Sequence, residues 1–120
     1  MIEDVKRKQM LEQELNRYLA LLVARADVER VVVFGSLATG QVHAWSDLDL
    51  LIVQHTTLPF LRRLHAMRDL LHPIIGTDLL VYTPNEFADL TRERAFVRDE
   101  IVKRGKVVYE RSGTLANVCA

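Results

Sequence analysis

The chain has 120 residues, 49% of them apolar and 27% charged, a composition that can bury one real core and is not that of a disordered polypeptide. Lysine plus arginine and aspartate plus glutamate number 16 each, so no net charge draws the protein to nucleic acid, and a non-specific DNA or RNA coat is disfavoured. The longest apolar stretch is Tyr18 to Ala24, far short of the roughly 20 residues that cross a bilayer, and MIEDVKRKQM at the start lacks the apolar core of a signal peptide. The lone cysteine, Cys119, has no disulfide partner and reads as inert, which suits a reducing cytoplasm.

In chain order, Val5, Leu11, Leu15, Tyr18, Leu19 and Leu22 recur at helical spacing and predict a helix from Ile2 to about Ala26. From Tyr18 onward its apolar residues spread to nearly all faces, either because that end is buried in the protein's own core or because it offers a surface to a partner. Val31 to Phe34 is a short β-branched and aromatic run fit for a buried strand, broken by Gly35, Ser36 and Gly40. A connection of about a dozen residues follows, too long for a tight hairpin. Asp47 to Val53 is the second strand. Thr57-Leu58-Pro59 opens a helix that runs to about Leu71 and is stopped by Pro73. Asp78 to Tyr82 is a third strand, and Thr83-Pro84-Asn85-Glu86 has capping-box spacing with proline at the first helical position. One or two helices end at Lys103-Arg104-Gly105, Lys106 to Glu110 is a last strand, and the tail after Arg111 is expected to fray. The expected architecture is a single domain spanning residues 1–120, of α/β (α+β) class, with helices packed on a small mixed sheet.

Two aspartates stand inside the second aliphatic strand. Residues i and i+2 of a strand share a face, so Asp47 and Asp49 point one way and Leu48 and Leu50 the other. No lysine or arginine lies between Arg30 and Arg62 to neutralise them. Two like charges roughly 6–7 Å apart along a strand raise each other's pKa unless something positive binds. Divalent ions remove the conflict, and an all-oxygen donor set suits Mg²⁺ or Mn²⁺ over Zn²⁺. Asp78 can add a third carboxylate if its strand lies beside the second, and Gly35-Ser36 can bring backbone N–H groups close to phosphate. Each piece has a plainer reading as well: a solvated Asp-x-Asp edge, a turn cap at Asp78 after Gly76-Thr77, and a simple turn at Gly35-Ser36.

Taken together, Phe34-Gly35-Ser36, SDLDLLIV and TDLLVYTPNEF resemble the polymerase-beta-like nucleotidyltransferase superfamily, whose pattern is an aliphatic strand, Gly-Ser, a loop, Asp-x-Asp and a later third acid. The short chain is most similar to the minimal nucleotidyltransferases, the antitoxin half of HEPN/MNT toxin–antitoxin pairs, over residues 31–110. The resemblance implies a nucleotidyltransferase-like fold, with Gly35 and Ser36 on the nucleotide's phosphates. It also implies two Mg²⁺ ions, replaceable by Mn²⁺, held by Asp47 and Asp49, with Asp78 ligating the catalytic ion and helping to activate the attacking hydroxyl. The implied reaction moves AMP from ATP to a tyrosine of a HEPN-type toxin, as in a type VII-like toxin–antitoxin system. With no acceptor domain in the chain, the acceptor surface would come from the partner, in a homo- or hetero-oligomer in the cytoplasm.

The pattern departs from the family at one place. Relatives commonly carry arginine after Gly-Ser, whereas here the turn reads Gly35-Ser36-Leu37-Ala38-Thr39-Gly40, without the guanidinium forks that grip phosphate bidentately. Arg92, Arg94 or Arg98 could fill that role. Two alternatives therefore stand beside the enzyme: a catalytically weak antitoxin that neutralises by binding alone, and transfer to a small molecule. His43, His55, His65 and His72 have no metal-ligand spacing. Trp45 can either stack on a base or cap the core, and Ser46 either caps a turn or bonds to Asp47 or Asp49.

Overall fold

The computed structural model describes residues 2–111; the expectations for the tail and Cys119 lie outside them. The elements are α1 (Ile2–Leu22), β1 (Val28–Phe34), α2 (Ser36–Thr39), β2 (Leu48–Gln54), α3 (Phe60–Leu71), β3 (Thr77–Tyr82), α4 (Pro84–Glu93), α5 (Phe96–Lys103, a π-type helix) and β4 (Lys106–Glu110). The expected class and order are borne out, and the open choice of one helix or two before Gly105 resolves to two. Several boundaries move. The first helix stops at Leu22 rather than Ala26, β1 begins three residues earlier than Val31, and α3 starts after Pro59. Asp47 precedes β2 instead of opening it.

The strands form one mixed sheet in the order β3-β2-β1-β4. β1 is antiparallel to β2 and to β4, whereas β2 and β3 are parallel and joined through α3. Strand alternation divides the apolar residues into two cores. On one face Val31, Val33, Leu48, Leu50, Ile52, Leu79 and Val81 pack with Leu11, Leu15, Tyr18 and Leu22 of α1 and Met67 and Leu71 of α3. On the other, Val32, Phe34, Leu51 and Val53 pack with Val97 and Ile101 of α5 and with Phe87 and Leu90 of α4. The sheet is thus covered on both sides, which is why its strands read as near-continuous aliphatic runs. Tyr18 and Leu22 are fully buried, so the broad apolar end of α1 serves the protein's own core, leaving Val23 half-exposed at its tip.

α4 is capped as its sequence predicts. The Thr83 side chain accepts from the Glu86 N–H at 3.2 Å, and Glu86 accepts from the Thr83 N–H at 2.9 Å. Glu86 also takes a forked pair from the buried Arg63 of α3, fixing the two helices across the end of β3. A second network ties α1 to the loop before β3. Glu14, buried, accepts from Arg17 and from the Ile74 N–H at 2.9 Å; Arg17 donates to the carbonyls of Leu71 and His72; and the Tyr18 hydroxyl meets Thr77 Oγ1 at 2.8 Å. Among the described residues no helix is long and apolar enough to cross a membrane.

Candidate active site

The register sets the site. Asp49 is the cross-strand partner of Asp78 on parallel β3 and of Phe34 on antiparallel β1. Asp49 shares strand parity with Leu51 and Val53, and Asp78 with Leu80 and Tyr82, so both belong to the α4–α5 face, where the sheet end is left open. Asp47 lies two residues before Asp49, and its charge acts on it. Asp47 and Asp78 are thus both neighbours of Asp49, and Asp78 lies within β3 with a hydrogen bond to Asp49 rather than at a turn. Asp47 and Asp78 are exposed; Asp49 is half-buried between them.

Two glycines make this approach sterically feasible. A Cβ on Gly35 would stand 2.0 Å from Asp49 Oδ2, and Gly35 has a φ of 71°, which side chains rarely adopt. A Cβ on Gly76 would stand 2.3 Å from Asp47 Oδ1. Each carboxylate thus lies on a glycine floor, one at the end of β1 and one just before β3. Gly76 is further fixed by its carbonyl, which accepts from the Leu48 N–H at 2.9 Å.

The electrostatics follow from this crowding. The Asp49 carboxyl is pushed up from the ordinary 3.8 to about 7, first by burial, then by the hydrogen bond and charge of Asp78 and by the charge of Asp47. Burial, and then the two neighbouring acids, disfavour ionised Asp49, and a nearby cation would favour it. The donors are all carboxylate oxygens, the set that hard divalent ions take. Among the described residues no group of three acidic, histidine or cysteine side chains is placed so as to hold a metal ion; Asp49 and Asp78 instead share a hydrogen bond.

Sequence reasoning missed one cation. Arg7 of α1 donates from Nε to the Ser46 carbonyl at 2.8 Å, and its Nη2 lies 4.0 Å from Asp47 Oδ1. The gap between Arg30 and Arg62 is therefore filled from α1, which no local pattern reveals. Of the arginines expected to serve, Arg92 pairs with Asp89, and Arg98 lies against Asp99 and the Arg92 carbonyl. Arg94 lies near enough to act on Tyr82. Ser46 Oγ accepts from the His43 N–H at 2.8 Å, the turn-capping role. Trp45 is 88% exposed and caps no core. His55 pairs with Glu29. Phe96 meets Phe34 edge-on, ring centroids 6.1 Å apart, so an apolar wall stands next to Asp49.

The sequence profile of the family described as polymerase beta, nucleotidyltransferase, matches residues 14–114. No curated protein matches the chain. Among solved structures, a protein from Sulfolobus solfataricus assigned as a nucleotidyltransferase is 16% identical, with a TM-score of 0.58 over 92% of this chain and 86% of that one. A toxin–antitoxin structure with AMP-PNP is 22% identical, with a TM-score of 0.54 over 81% of this chain and 73% of that one. A mutant of the toxin–antitoxin pair MntA-HpeT is also 22% identical, with a TM-score of 0.52 over 81% and 72%. These likenesses bear out the expected fold.

Proposed function

The chain belongs to the polymerase-beta nucleotidyltransferase family, and from that premise we propose that it transfers AMP from ATP to a tyrosine of a HEPN-type toxin and so acts as that toxin's antitoxin. The observation that carries this reading is the direct cross-strand pairing of Asp49 with Asp78, with Asp47 in electrostatic reach, at one end of the sheet where Gly35 and Gly76 lie against the carboxylates. The toxin–antitoxin fold neighbours, one of them with AMP-PNP, support the partner class and the nucleotide.

In this reading Asp47 and Asp49 would hold two Mg²⁺ ions, and Asp78 would help to hold the catalytic one. The ions, when bound, neutralise charge developing on the phosphate and lower the pKa of the attacking hydroxyl. Asp78, the exposed acid of β3, accepts the hydroxyl proton. The acceptor oxygen bonds to the α-phosphorus, the bond from that phosphorus to the bridging oxygen breaks, and pyrophosphate leaves. Gly35 and Ser36 present backbone N–H groups to the phosphates. The chain works as one domain, and the acceptor comes from the partner.

The test is incubation with Mg²⁺, ATP and the protein encoded beside this one, followed by intact mass. The expected result is a partner heavier by one AMP, lost in Asp49→Asn and Asp78→Asn. An unmodified partner with every nucleotide would overturn the reading. The cation-free turn Leu37-Ala38-Thr39 favours a second reading, neutralisation by binding alone. It predicts that the same Asn variants still silence the toxin.

A further inference from the structure

We infer that Arg7 is a substrate-binding residue that grips the polyphosphate of the nucleotide beside Asp47. The inference rests on the nucleotidyl-transfer reading and adds a residue to it. The Ser46 N–H donates to the His43 carbonyl at 3.0 Å, and the His43 N–H donates back to Ser46 Oγ at 2.8 Å. The Ser46 carbonyl is thereby held, and it fixes the Arg7 guanidinium through Nε at 2.8 Å. The side chain is 19% exposed, so its stem is packed and its head is aimed.

That head is only partly engaged. Nη2 stands 4.0 Å from Asp47 Oδ1, attracted to the carboxylate but beyond the roughly 3.2 Å reach of an N–H···O bond. A guanidinium does not lose its charge in a protein and carries five donors. Holding one here, at the edge of three carboxylates, makes sense when a further oxygen-rich anion arrives. A polyphosphate adds negative charge to an already acidic cluster, and divalent ions offset only part of it. The turn over 35–40 contributes no cation, Arg92 and Arg98 are engaged within α4 and α5, and Arg94 stands by Tyr82, at the other end of β3 from Asp78. Arg7 supplies the planar fork that binds phosphate oxygens in pairs.

A purely mechanical alternative is a strut joining α1 to the 43–46 turn. The two roles move metal and nucleotide affinity differently. Removing a nearby positive charge tightens, or leaves unchanged, the binding of a bare cation at Asp47. Collapse of a strut loosens it. The experiment uses the full chain and its Arg7→Gln and Arg7→Lys variants, titrated calorimetrically with ATP in excess Mg²⁺ and, separately, with Mn²⁺ alone. Arg7→Gln is expected to weaken ATP binding about tenfold or more, the loss of one charged hydrogen bond, while Mn²⁺ binds no more weakly than to wild type. Arg7→Lys restores part of the ATP affinity. ATP binding unchanged in Arg7→Gln, or ATP and Mn²⁺ weakened together, would overturn the inference alone. A wild-type chain that binds no ATP overturns the nucleotide reading beneath it.

Discussion

At the residue scale, Asp49 carries the tension of the site. Its carboxyl, raised to about 7, binds a proton in the folded chain that it releases near 3.8 when unfolded. Between those values the folded state holds more protons, so this group's contribution to stability falls as pH rises from about 4 to 7. Asp49→Asn removes that penalty. The expected outcome is a variant more stable than wild type at pH 8 in chelator, with the difference shrinking toward pH 4, measured by urea denaturation. A difference that does not change with pH would contradict it. The three acids could be named from the sequence as an Asp-x-Asp at the head of an aliphatic run and a further Asp at the head of the next, although Asp47 falls just before β2, where strand alternation does not place it. Gly76 and Arg7 could not. Gly76 matters only because Asp47 Oδ1 comes to rest against it, and Arg7 stands 39 positions from the carbonyl it holds.

At the element scale, α1 is the positioning helix of the site. Glu14, Arg17 and Tyr18 secure residues 71 to 77, the segment that delivers Gly76 and Asp78. The Arg17 guanidinium, with help from the Ile74 N–H, holds the Glu14 carboxyl down from 4.5 to about 2 despite its burial. A depressed carboxylate contributes stability that is fully present above its unfolded pKa and is lost as pH falls through the folded one. Glu14→Gln should therefore cost stability at pH 7, and its melting temperature should be flatter than wild type's between about pH 4.5 and 2. Parallel curves would show that Glu14 does not drive the acid transition. Tyr18→Phe deletes the bond to Thr77 and should cost about 1 kcal/mol. The helix itself was legible from its apolar spacing. Its docking network was not, because Glu14 and Arg17 look like an ordinary solvated i, i+3 pair until the 71–77 loop arrives.

At the scale of the whole molecule, the sheet order β3-β2-β1-β4 puts β2 and its Asp49 between Gly35, at the end of β1, and Asp78 on β3. Element order and the aliphatic strands made the mixed sheet foreseeable. The pairing of β2 with β3 was the one condition the site depended on, and a chain pattern alone cannot fix which strands neighbour each other. The π-type turn of α5 had no sequence signal either, although it seats Phe96 against Phe34 beside the acids.

If Asp47, Asp49 and Asp78 act as one divalent-ion site that serves a nucleotide, ion uptake must depend on these acids and respond to ATP. The most direct measurement is Mn²⁺ electron paramagnetic resonance at pH 8, with and without ATP, on wild type, Asp49→Asn and Asp78→Asn. Wild type is expected to take up Mn²⁺, more tightly when ATP is present, and each Asn variant to lose that uptake while keeping a folded melting transition. Equal Mn²⁺ uptake by wild type and both variants would contradict it.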